Sequence, residues 1–223
     1  LFFSLYSPKF NVTSLMVPVW ALSMLVFYCC LTEKKPWQWI VFGILNAANI
    51  LTKYQAGIIF IPFLAVLLLT QSGREAFKKA WVYVSLFITL ILLVPHFVWA
   101  YHAHFPEINY ALHSTTDSSR MLTGWLAHLY YPARIIGDQV GMLIGVLLMS
   151  LPLWWHRSKT IITNRDNPTK NTLSCFDTAF LWIIGMGPFV LTILFALVTG
   201  SYLDANWCTP YFCMIGILLV VYL

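Results

Sequence analysis

The polarity pattern of the 223-residue chain is a series of apolar runs separated by short polar breaks. Leu1 to Tyr6 reads as the tail of an earlier helix, stopped by Ser7-Pro8 and the polar stretch Lys9 to Ser14. A first full span is expected over about Leu15–Leu31, ended by Glu33, Lys34, Lys35 and Pro36. Pro18 falls near its start, where a missing N–H costs least. A second, short span covers Trp37–Leu51 and a third covers Tyr54–Thr70, with Lys53 between them. Gln71 to Lys79 reads as a polar connection, and a fourth span, Ala80–Tyr101, is expected to break or kink near Pro95. The longest polar stretch of the chain then runs from Tyr101 to Tyr131. A fifth span follows over about Ile135–Trp155, then a polar loop from His156 to Ser174 and a sixth span over Phe176–Thr199. A short loop, 200–206, leads to a seventh span that starts near Trp207.

Runs of this length approach the roughly 20 residues of helix that cross a hydrocarbon core. They are continuous rather than alternating, which disfavours a β-barrel. The pattern predicts an all-α, polytopic transmembrane helical bundle of about seven spans. Composition agrees: 60% of residues are hydrophobic and only 9% charged, against roughly 25% charged in a soluble domain. The chain begins at Leu1 and stops inside an apolar run at Leu223, so it reads as an internal piece of a longer protein.

The net charge of +5 does not point to nucleic acid, because the cations are scattered through short loops. Nine of the thirteen Lys and Arg residues fall in the loops at 33–36, 71–79 and 156–174, all on one side of a seven-span topology. Lys9, Lys53, Arg120 and Arg134 fall on the other. The positive-inside rule then places Lys53, the 101–131 stretch and the 200–206 loop outward. Trp37, Trp39, Trp81, Trp154 and Trp155 lie near the inner boundary, as an aromatic belt requires. Cys29, Cys30, Cys175, Cys208 and Cys213 show no metal or CxxC spacing and read as packing residues.

The polar residues of the outward side are the candidates for chemistry. Lys53, in NILTKYQAG, is either a cation for a phosphate or carboxylate at the membrane surface or a lysine snorkelling to the interface. The shortness of both flanking spans favours the first reading, since it leaves the charge in a depression. The 101–131 stretch carries His102, His104, His113 and His128, without a zinc-type spacing. It therefore implies no cofactor, and a divalent metal is left open. Glu107 follows Pro106, so it is either a helix-opening acid or part of a site wall. Asp117, in STTDSS, is a turn cap or a general acid or base. Arg134, in YYPAR, is a bidentate phosphate clamp or an interface anchor. Asp204, Asn206 and Trp207, in LDANWCTPY, offer a carboxylate, an amide and an aromatic face suited to a sugar; the alternative is a polar turn with a belt tryptophan. Asn11-Val-Thr13 matches a glycosylation sequon on the outward side.

Four runs taken in order, NVTSLMVPVWALSMLVFYCCL, WIVFGILNAANILTKYQAGIIFIP, PHFVWAYHAHFPEINYALH and DANWCTPYF, resemble a known family. It is the bacterial branch of the protein O-mannosyltransferase-like glycosyltransferases (family 39), which includes the lipid-A aminoarabinose transferase. The resemblance implies that residues 1–223 are part of one transmembrane glycosyltransferase domain of the GT-C-like class. It implies an integral, multi-pass protein of the bacterial inner membrane with its active side outward. A sugar would pass from a polyprenyl-phosphate donor to a lipid, glycan or protein acceptor with inversion. It also implies a donor-pocket role for Lys53, with Asn206 and Trp207 matching the family's late NW pair, and an outer wall of His104, Glu107 and His113; the residues themselves add Tyr54 and Arg134 to the donor site and Asp117 to the wall. The catalytic carboxylate of the family would lie upstream of Leu1, leaving this stretch inactive by itself. A membrane transporter or lipid flippase is the competing reading. Against it stands the scarcity of ionisable residues deep in the spans, where only Lys53 and Asp138 come close.

Overall fold

A computed structural model describes residues 12–106, 108, 122, 124–163 and 173–222. Among these residues there is helix and no strand. The helices are α1 (Val12–Thr32), α2 (Pro36–Thr52), α3 (Phe60–Leu69), α4 (Gln71–Phe77), α5 (Ala80–His102), α6 (Ala127–Thr163), α7 (Cys175–Thr199) and α8 (Ile215–Tyr222). Two 3₁₀ segments are also found among the described residues, Tyr54–Ile59 before α3 and Ala205–Met214 before α8.

Among the described residues, four helices are long and apolar enough to cross a membrane: α1, α5, the Ala127–Pro152 part of α6, and α7. The count is five if Tyr54–Leu69 and Gln71–Phe77 form one broken span. The all-α membrane bundle expected from the sequence is therefore found. Each of the seven expected apolar segments is helical, but α2 has only 17 residues and the last segment is a short helix over Asn206–Val221. The outer helices show what surrounds them. Leu86, Phe87, Leu90, Ile91 and Val94 of α5 and Leu148 and Met149 of α6 are exposed, an apolar surface that lipid rather than water must cover.

The core gathers around Phe27 of α1. Its ring centroid lies 4.6 Å from Phe63 of α3, 5.0 Å from Phe42 of α2 and 6.0 Å from Phe180 of α7. In lipid, close packing of this kind rather than exclusion of water holds helices together. The α2–α5 contact uses small residues in the same way: a side chain on Gly43 would meet the Ser85 carbonyl at 2.6 Å, and Thr89 Oγ1 donates to the Gly43 carbonyl at 2.9 Å.

Three boundaries refine the sequence reading. The polar connection 71–79 contains α4, set at 99° to the preceding segment. Thr70 makes the bend: its hydroxyl donates to the Val66 carbonyl at 2.8 Å and accepts from the Gly73 amide at 3.0 Å, so it caps α4. Arg74 donates to the carbonyls of Leu68 and Leu69, the last of α3. Only glycine fits at 73, because a Cβ there would lie 2.2 Å from the Val66 carbonyl oxygen. Second, α5 does not break at Pro95, which leaves the kink as the remaining one of the two expected outcomes. Third, α6 starts at Ala127 rather than Ile135 and continues to Thr163, so the YYPAR motif sits on a helix and not in its entry loop. Pro132 is the sixth residue of α6, past the first turn, and having no N–H it cannot donate to the His128 carbonyl.

Candidate functional site

The site is built where two stretches of the chain leave the α-helical state. α2 ends at Thr52, and Lys53 is extended (φ −165°, ψ 127°) before the 3₁₀ turn begins. Thr52 Oγ1 donates to the Asn49 carbonyl at 2.6 Å, sharing that acceptor with the Lys53 amide at 3.1 Å. At the other path α7 ends on Gly200, in the left-handed region at φ 62°. Asp204 then opens the second 3₁₀ segment, its carboxylate accepting from the Asn206 amide at 2.8 Å. That segment is ten residues long, whereas 3₁₀ runs beyond three or four residues are uncommon and mark strain or a functional hinge.

The two breaks meet. Lys53 Nζ lies 5.3 Å from the Trp207 ring centroid, over its face. Gln55 Nε2 donates to the Trp207 carbonyl at 2.8 Å and to the Tyr211 hydroxyl at 2.9 Å. Tyr211 is fully buried, and Thr192 of α7 donates to its hydroxyl at 3.3 Å. Burial lowers the Lys53 pKa below the usual lysine value, and the charge of Asp204 partly offsets that shift. The half-buried ammonium sits in a lower dielectric than a lysine in water, which strengthens its pull on an anion, while the Asp204 carboxylate works against that pull.

A second cation approaches the same segment from α6. The Arg134 guanidinium stacks over Tyr202 at 4.8 Å and pairs with Asp138 at 3.6 Å, one helical turn on. Tyr131 places its ring against Tyr202 at 5.8 Å and accepts the Leu122 amide at 2.8 Å. His128 docks the start of α6 onto the end of α7 through Nδ1, 2.8 Å from the Leu197 carbonyl. A carbonyl only accepts, so this contact sets the proton on Nδ1. The stretch 200–207 thus presents Tyr202 to Arg134 and Trp207 to Lys53.

Of the residues expected at a donor site, Lys53 and Trp207 are in contact, Asn206 is adjacent, and Arg134 reaches the same loop through Tyr202. Tyr54 turns the other way, its hydroxyl 2.6 Å from His96 Nε2 on α5. Of the expected wall, His104 is exposed at the end of α5, while Glu107, His113 and Asp117 lie outside the described residues. His104 adopts φ 58°, and the Phe105 amide bonds the Ala100 carbonyl at 2.8 Å, closing α5 in the manner that usually employs glycine. Sequence reasoning missed Gln55, Tyr211 and the Tyr54–His96 pair. A glutamine two residues beyond a lysine at a helix break was the available signal for Gln55. Among the described residues no group of three or more His, Cys, Asp or Glu side chains is placed to hold a metal.

The bundle and its apolar exterior define an integral membrane protein, with polar and cationic residues gathered at one end of its helices. The sequence model of the dolichyl-phosphate-mannose-protein mannosyltransferase family matches residues 1–99, a stretch that includes Lys53, Tyr54, Gln55 and His96. Over those residues the chain resembles membrane glycosyltransferases of the mannosyltransferase type, as its motifs imply. No curated protein and no solved structure matches it.

Proposed function

We propose that the chain contributes the donor-binding end of a membrane transferase. This enzyme moves a sugar from a polyprenyl-phosphate carrier to a lipid, glycan or protein acceptor, on the outer face of a bacterial cell membrane. The observation that carries this reading is the convergence of Lys53 with Trp207, Asn206 and Asp204 at the junction of two broken helices. Lys53, with Arg134 beyond Tyr202, holds the carrier phosphate. The Trp207 face stacks on the sugar ring and the Asn206 amide bonds its hydroxyls. In a single inverting displacement the anomeric carbon–phosphate oxygen bond breaks as the acceptor oxygen attacks. Charge then builds on the departing phosphate, where a fixed cation in a low-dielectric site stabilises it most. Asp204 is engaged as a helix cap and keeps Lys53 charged, so it is assigned no proton-transfer role.

The test uses the full-length protein in proteoliposomes and follows the release of free polyprenyl phosphate from a set of polyprenyl-phosphate sugars. The parent protein should release it, and Lys53→Ala should fall by about a hundredfold or more, the scale for removing one electrostatic contact to a developing charge. No release with any donor, from protein shown to be folded, overturns the assignment and turns attention to flux assays for transport.

A further inference from the structure

The Lys53 side chain is held loosely by its own contacts. Its ammonium rests over the Trp207 ring at 5.3 Å, and a point charge on a flexible four-carbon stem is not fixed by that contact alone. The direction of the side chain is therefore set by the backbone, a single extended residue between an α-helix and a 3₁₀ turn. The next two residues grip two different neighbours. With three residues per 3₁₀ turn, the side chains of Tyr54 and Gln55 leave it about 120° apart. Gln55 bonds the second 3₁₀ segment, at the Trp207 carbonyl and the Tyr211 hydroxyl. The Tyr54 hydroxyl lies 2.6 Å from His96 Nε2 on α5. His96 is half-buried within that apolar helix, followed by the exposed residues Phe97, Val98 and Trp99. An ionisable side chain in such a place is costly unless it is paired, and such groups mark functional positions. Its ring lies 5.6 Å from Tyr54 and stacks on Trp99 at 5.7 Å, while Phe97 stacks on Tyr54 at 6.4 Å. The donor-site account uses neither His96 nor Tyr54.

We propose that His96 is a positioning residue for Lys53. The imidazole holds Tyr54 against α5 while Gln55 is held by the second 3₁₀ segment, so the lysine enters the donor site from a backbone clamped on two sides. His96 itself touches no substrate. Once the clamp is released, the extended residue is free to turn, and the ammonium loses its alignment with the departing phosphate, where a small misplacement costs rate. The consequence for catalysis rests on the sugar-transfer reading proposed above; the placement of Lys53 is measured without it.

The experiment uses the full-length protein and two readouts. One is the release of free polyprenyl phosphate from polyprenyl-phosphate sugars in proteoliposomes. The other is the rate at which Lys53 is dimethylated by formaldehyde and cyanoborohydride in detergent, followed by peptide mass spectrometry with the exposed Lys34 as internal standard. Tyr54→Phe and His96→Leu each delete the contact. Each should lower kcat/KM for release about fivefold, the scale of one net hydrogen bond, and raise the labelling rate of Lys53 by a similar factor with Lys34 unchanged. The double variant should be no worse than either single one, since both remove the same contact. His96→Gln should restore most of both readouts, because an amide offers the phenol a donor and an acceptor. Thr89→Val removes the other α2–α5 bond, to the Gly43 carbonyl about 15 Å along α2 from Lys53, and should leave both readouts near the parent. Unchanged Lys53 labelling in Tyr54→Phe, the mildest variant, overturns the proposal. So does an equal change in Thr89→Val, which would make His96 ordinary interhelical packing. Additive losses in the double variant overturn it as well. If the parent releases no polyprenyl phosphate, the sugar-transfer reading fails instead, and the labelling still decides what places Lys53.

Discussion

Replacing Gln55 by methionine tests whether the two broken helices are locked together as the geometry indicates. The substitution keeps the length of the side chain and removes both of its donations, to the Trp207 carbonyl at 2.8 Å and to the Tyr211 hydroxyl at 2.9 Å. Each hydrogen bond contributes about 1 kcal/mol net, and an orphaned buried acceptor adds about 1–3 kcal/mol. The Tyr211 hydroxyl still receives Thr192, so the Trp207 carbonyl bears the larger loss. One effect runs the other way. Gln55 Oε1 is buried without a partner among the described residues, and methionine relieves that desolvation. The balance is a loss of about 2 kcal/mol, or roughly 4–8 °C in melting temperature for a chain of this size. Gln55→Glu should cost more than methionine, because it directs a carboxylate at a carbonyl. The measurement is thermal unfolding of the purified full-length protein in one detergent, with lipid held constant. A glutamate variant as stable as the parent, or more stable than the methionine variant, refutes the assigned bonding.

Three further outcomes follow from the same geometry. Phe27→Ala removes the ring that contacts Phe42, Phe63 and Phe180; in lipid the transfer part of the usual penalty is small, so about 2–3 kcal/mol of packing loss is expected in detergent unfolding. Gly73→Ala forces a Cβ to within 2.2 Å of the Val66 carbonyl oxygen, so the α3–α4 bend must open, with a cost of about 3 kcal/mol or more and a marked fall in folded yield. Lys53 titrates below an ordinary lysine because of burial; it is charged below that pKa and neutral above it, so donor affinity is present at low pH and lost as pH rises. The Michaelis constant for donor should therefore climb on the alkaline side earlier than a free lysine dictates, and Lys53→Arg should abolish the climb, which identical pH profiles would disprove.

The helices were legible wherever the apolar run was long and its ends were charged. α1, α5 and α7 fall within a few residues of their expected bounds, since Glu33–Pro36, Gln71–Lys79 and Gly200 are strong stop signals. The start of α6 was not legible: Tyr130, Tyr131, Pro132 and Arg134 look like a loop, and what holds them helical is tertiary, through His128 on Leu197 and Arg134 on Tyr202. α4 was hidden for the opposite reason. Its capping threonine and obligate glycine are visible in TQSG, but the polar sequence reads equally well as a connector. At the site, Lys53 and Trp207 could each be picked out from local polarity. Their pairing could not, because Trp207 lies 154 positions beyond Lys53 and no local rule links them. Gln55 was invisible for the same reason, since its partners are a backbone carbonyl and a tyrosine on a distant segment.

The meeting of the two 3₁₀ segments bears on function independently of any motif. Backbone that leaves the α-helix exposes amides and carbonyls that hydrocarbon cannot satisfy, so such segments persist only when buried in protein or lining a wet cavity. Here Tyr54–Ile59 and Ala205–Met214 solve the problem partly for each other, through Gln55 on the Trp207 carbonyl. Among side chains, Gln55 Oε1, Asn49 Oδ1 and Trp20 Nε1 are buried without partners among the described residues. Those groups lie along one connected path. Asn49 donates to Ser23 at 3.0 Å, Ser23 to the Trp20 carbonyl at 2.8 Å, and the Trp20 ring packs on Tyr211 at 5.5 Å. The Asn49–Ser23 bond also ties α2 to α1, the ordinary role of such residues in a membrane bundle. On the proposed reading, the unpartnered Gln55 Oε1, two residues from Lys53, is the acceptor that would take a hydroxyl of the sugar.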